Sequence, residues 1–170
     1  MGDTDHDAVA RLRATAHPVR LRILSLLTAE AMSAAEVARA LEITHANASY
    51  HLRQLLDAGL LVVEGEERIR GGVAKRYRHL WDREPASLSV GDPEQQVRAM
   101  ANEMVRRFQL REKRGSFLTD AELWVTPEVW ERARDLLQEA SALVHDNAAA
   151  PRTEGTVPVN LSVAAFGLAR

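Results

Sequence analysis

From Asp7 to Thr15 the chain carries a short helical pattern, with Val9, Leu12 and Ala16 on one side. "HPVRLRILSLL" restarts a helix, since Pro18 suits a first helical position and Val19, Ile23, Leu26 and Leu27 recur at core-facing spacing. In "MSAAEVARAL", Ser33 and Glu36 have the spacing of a capping box and predict a helix of only about two turns. "EIT" breaks it, Thr44 is placed to cap the next helix, and Gly59 closes that one. The period then changes from helical to extended in "LLVVEGEE" and "VAKRYRHL", which predicts a β-hairpin turning at Gly71 and Gly72.

Pro, Gly and Ser interrupt any period in "DREPASLSVGD", which reads as a linker. Asp92, Pro93 and Glu94 open a helix expected to reach about Arg114 and stop at Gly115, with an apolar stripe of Val97, Met100, Ala101, Met104, Val105 and Phe108. "AELWV" alternates briefly, and Thr126 with Pro127 begins a long helix lined by Val129, Ala133, Leu136, Leu137, Ala140 and Val144. "TVPVNLSVAAF" alternates strictly and predicts a half-buried strand with Val157, Val159, Leu161, Val163 and Ala165 on one face. Pro158 makes its beginning an edge or a free end.

The helix after Thr44 has the most informative face. With about 100° per residue, Leu52, Leu55 and Leu56 fall within about 80° of Ala48 and define a buried side. Ala46, Asn47, Tyr50, Arg53, Gln54 and Asp57 fall opposite, and Ser49 lies at the flank. Asparagine pairs bidentately with adenine and arginine with guanine, and a small apolar group such as Ala46 fits against a thymine methyl. Any solvent-facing helix is polar, so this face alone decides little. Its context says more: a short capped helix, a three-residue turn, a second helix polar at its start and a basic hairpin follow one another in the order of a winged helix-turn-helix.

Charge is segregated along the chain, and this outweighs the net charge of −2. Arg68, Arg70, Lys75, Arg76 and Arg78 stand without an acid between residues 68 and 79, whereas seven acids between Asp120 and Asp146 face only Arg132 and Arg134. The absence of cysteine excludes disulfides, thiolate metal sites and cysteine nucleophiles. No phosphate-binding glycine loop, nucleophile elbow or metal triad is present, so no catalytic residue, enzyme activity or cofactor is expected. Neither a signal peptide nor a membrane span is read, and a cytoplasmic location is expected.

Residues 7–80 resemble the ArsR-type winged-helix bacterial repressors, on "HPVRLRILSLL", "ALEITHANASYHLRQLLDAGLL" and "RIRGGVAKRYRHL". The resemblance implies that Thr44, His45, Asn47, Ser49, Tyr50 and Arg53 face DNA, joined by Ala46 from the base-contact chemistry above. It also implies that Arg68, Arg70, Lys75 and Arg76 of the wing track a phosphate or minor groove. Glu42 departs from the glycine common at this turn; a left-handed conformation there would cost ~1 kcal/mol. Metal sensing is rejected, because residues 33–41 lack a thiol and the last helix offers only His145. Of the other histidines, His51 borders the core as a packing or phosphate contact rather than a ligand.

The expected fold is mainly α with a β-wing: a winged helix-turn-helix in residues 1–81, a linker in 82–91, and a helical dimerisation region with a small α+β extension in 92–170. Dimer contacts are expected from Val9, Leu12, Val97, Met100, Met104 and Phe108. Trp81, Trp124 and Trp130 are candidate walls of a pocket for a small organic effector, against the alternative of ordinary core or dimer interface. The expected function is a homodimeric, sequence-specific regulator of transcription, a repressor on family grounds, with operator DNA and a second copy as partners. A winged-helix adaptor that binds protein instead is the alternative; it would more often carry apolar anchors on the helix after Thr44.

Overall fold

The computed structural model describes residues 3–69, 72–79, 81, 93–112 and 115–169. In chain order the elements are α1 (Asp3–Thr15), α2 (Pro18–Ala29), β1 (Met32–Ser33), α3 (Ala34–Leu41), α4 (His45–Asp57), β2 (Leu61–Ile69), β3 (Gly72–His79), α5 (Pro93–Phe108) and α6 (Pro127–Asp146). The three strands form one antiparallel sheet in the order β1-β3-β2. Together the helices and this sheet make a winged helix-turn-helix.

Local chemistry sets each boundary. The His17 ring accepts at Nδ1 from the Val19 N–H at 3.2 Å and caps α2, with Pro18 following as expected. Ser33 and Glu36 form the full capping box: Ser33 Oγ accepts from the Glu36 N–H at 3.3 Å, and the Ser33 N–H donates back to the carboxylate at 2.7 Å. α3 ends at Glu42, which is left-handed at φ 56 and ψ 42. The Ile43 N–H then reaches the Ala38 carbonyl at 3.0 Å, the long closing bond of a Schellman turn. A glutamate bears a Cβ penalty there that glycine would avoid. Thr44 Oγ1 accepts from the Asn47 N–H at 3.2 Å and starts α4.

One core lies behind α4. Ile23 and Leu27 of α2, Val37 and Leu41 of α3, Leu52 and Leu55 of α4, and Leu61 of β2 are buried against one another. The two-residue strand β1 had no signature in the sequence. It pairs Met32 with Tyr77 and Ser33 with Arg76, and so joins the hairpin to the start of α3. Arg76 fastens the same junction: its guanidinium donates to Glu36 and Glu67, each at 3.2 Å, and to the Ala31 carbonyl. Arg78 adds a bond to the Ala29 carbonyl at 3.1 Å.

Two expectations about the second half change. α5 stops at Phe108, well before Gly115, and packs against α1 and α2. The side it buries carries Ala99 and Glu103, while Val97, Met104, Val105 and Phe108 of the stripe expected at a dimer contact stay exposed. Neither "AELWV" nor residues 156–166 form a strand. A strand exists only where a ladder partner satisfies its backbone, and no edge of the sheet is brought to either segment. The expected α+β extension is therefore α6 with irregular chain on both sides, and α6 buries no residue of its own. Among the described residues, no helix is long and apolar enough to cross a membrane.

Candidate nucleic-acid interface

The two sides of α4 separate as the helical wheel requires. Ala48, His51, Leu52 and Leu55 are buried, while Thr44, His45, Ala46, Asn47, Tyr50, Arg53 and Gln54 are exposed and Ser49 is half-buried. Tyr50 keeps 52% of its surface free. The helix thus presents a hydroxyl, an imidazole, an amide, a phenol and a guanidinium on a back held rigid by leucine packing. Rigidity matters because base-edge hydrogen bonds discriminate only when the donors are held in place.

His51 sits beneath this face, where the sequence reading put it at the edge of the core. Its ring lies 4.7 Å from that of His17 and 5.3 Å, edge-on, from that of Tyr50. Burial holds both imidazoles below the ordinary histidine value of 6.5, and Arg20 lowers both further; His17 and His51 could not both be charged at this distance without repulsion. The unfolded chain therefore binds more protons than the folded one just below 6.5, so stability is full above that value and falls as pH drops. Urea midpoints measured from about pH 7.5 to about pH 5.5 should decline, and His51→Leu should decline less. Parallel slopes for the two proteins would rule out His51 as a contributor.

The wing divides its basic residues. Arg68 and Lys75 are exposed, and Arg70 lies outside the described residues. Arg76, also expected on DNA, has its guanidinium engaged by Glu36, Glu67 and the Ala31 carbonyl where the hairpin meets β1 and α3. On the opposing strand Glu66 stands across from Lys75. The surplus positive charge is therefore concentrated toward the tip, around Arg68.

The remaining candidates scatter. Leu12 has no exposed surface and supports α1 from within, so it cannot form an interface contact; Val9 and Met100 are half-buried. The three tryptophans do not converge into one pocket. Trp124 is 84% exposed, Trp130 is half-buried on α6, and Trp81 stacks on His145 at 4.9 Å between ring centres. Alternation and helical spacing report which positions share a face, but not which element covers that face.

Residues 15–64 match the family model described as a helix-turn-helix domain. No curated protein matches the chain. Among solved structures the chain is similar to HlyU from Vibrio cholerae, with 24% sequence identity, 65% of this chain and 100% of that chain covered, and a TM-score of 0.38. With that domain in residues 15–64 and a three-stranded antiparallel wing beside it, the chain carries a winged helix-turn-helix.

Proposed function

We propose that the protein is a homodimeric, sequence-specific transcriptional repressor in the cytoplasm, with α4 in the major groove and the wing tip on the adjacent backbone. The observation that carries this reading is the exposed row Thr44, His45, Asn47, Tyr50 and Arg53 on a fully packed helix. Its N-terminal half would meet base edges, as recognition helices do. Arg68 and Lys75 would hold phosphate, joined by Arg70, a wing residue on the sequence reading alone. Residues 1–81 would bind DNA and residues 92–170 would join two copies, through the exposed face of α5. In such a dimer the two α4 helices would lie ~34–36 Å apart, one turn of DNA, or a multiple of that. No metal response is proposed, since the chain has no cysteine and α6 offers one histidine.

The test separates reading from holding. On the DNA upstream of its own coding region, Asn47→Ala should lose ~1–3 kcal/mol and relax preference at one base pair. Arg68→Ala should weaken operator and scrambled duplexes by a similar factor and reduce the salt slope by about one. If wild type prefers no sequence, and both variants bind as it does across the salt series, DNA reading is wrong and the adaptor reading replaces it.

A further inference from the structure

A cavity of about 230 Å³ opens between α2, the end of β3, α5, α6 and the chain near residue 162. It is not the tryptophan-lined pocket read from the sequence, although Trp81 stacks on one of its wall residues, His145. Leu21, Leu24, Met100, Leu161 and Val163 supply an apolar lining. Arg107 supplies charge: it donates to Asn160 Oδ1 at 3.1 Å, reaches Ser25 Oγ only at 3.5 Å, and lies 3.3 Å from Glu103.

Among the described residues Glu103 is the single carboxylate on the wall, and it is heavily committed. Arg106 holds it at 2.9 Å as well, and Arg22 adds to the field. Burial pushes its carboxyl up, but the Arg106 hydrogen bonds and the charges of Arg106, Arg107 and Arg22 outweigh burial and keep it below its ordinary value. One buried negative charge among three guanidinium groups leaves a local positive excess next to an apolar lining. The volume is below the roughly 300–1,000 Å³ that drug-sized ligands fill, so the matching occupant is small.

We infer that this cavity binds a small organic carboxylate, one ring or a short chain, with its apolar body against Leu24, Met100 and Val163 and its carboxylate on Arg107. The location makes the occupant an effector, and that part rests on the proposed DNA-binding function. α2 packs against α4 as well as α5, and His79 on the cavity wall is bonded to Thr28 at 3.0 Å at the root of the wing. An occupant therefore touches the supports of both DNA-contacting elements at once.

Full-length protein should be titrated by calorimetry with benzoate, phenylacetate and hexanoate, and with benzamide, phenylacetamide and hexanamide as neutral counterparts. At least one acid should bind with a Kd under about 1 mM, at least tenfold tighter than its amide, and change Trp81 emission through the His145 stack. Arg107→Gln should abolish that preference, while Val163→Trp, which fills the cavity without touching the charge, should abolish binding of acid and amide alike. Both variants should unfold at temperatures close to wild type, since Arg106 still holds Glu103. The binding acid should shift affinity for the upstream DNA about fivefold or more. No binding by any acid, or equal binding of acid and amide, overturns the site. Acid binding that leaves DNA affinity unchanged overturns its role as an effector site, and loss of DNA binding in all samples would count against the regulator while calorimetry still reads the cavity.

Discussion

Leu52→Ala is expected to cost about 2–5 kcal/mol, against a total stability of roughly 5–15 kcal/mol for a domain of ordinary size. Leu52 is 0% exposed and lies where α2, α3 and α4 meet, among Ile23, Leu27, Val37 and Leu55. Shortening it leaves a void that its neighbours cannot close, because they are held in place on α2, α3 and α4. The same variant should weaken DNA binding on every sequence by lowering the fraction of folded protein, whereas Asn47→Ala should leave the fold intact. Leu56, half-buried one position after Leu55, provides the control: Leu56→Ala should cost clearly less. Urea midpoints for the two variants check this. If they coincide, the back of α4 is not the anchored face described above.

Val105→Glu should act on assembly rather than folding. Val105 is 58% exposed and, with Val97, Met104 and Phe108, makes an apolar face on α5 that the other described residues leave exposed. A carboxylate there is harmless in a single chain but costly in a self-complementary interface, where it is desolvated twice. Sedimentation should show wild-type dimers and variant monomers at micromolar concentration. A monomer engages one half-site, so affinity for a two-half-site operator should fall about 10²–10⁴-fold. Dimeric Val105→Glu protein, or full affinity from a monomer, would place the interface elsewhere.

The DNA-facing helix was legible because its period, its Thr44 cap and its leucines all report the same face. The Ser33–Glu36 capping box and the left-handed Glu42 were legible for a similar reason, since caps and turns are written in adjacent residues. What failed depends on contacts between distant residues. β1 is too short to show a period and exists only because Tyr77 and Arg76 come to it. On α5 the stripe of Val97 and Phe108 was legible, but the opposite side, where the helix buries Ala99 and Glu103, was not. Small Ala99 allows close approach to α1 and α2, and Glu103 finds Arg106 and Arg107 within its own helix. The strict alternation of residues 157–165 describes a strand without a neighbour, and periodicity carries no information about whether a neighbour exists.

Ser33 belongs to two structures at once. It is the strand residue paired with Arg76 and the residue that caps α3, so the phase of the helix-turn-helix is tied to the register of the hairpin. A slip of the hairpin by one residue would put Arg76 on the wrong face, away from Glu36, and would unseat the cap with it. Hairpin and helices therefore have little scope to form separately. They should melt as a single cooperative unit, with amide protection at Ser33 and Tyr77 lost together with that at Leu52.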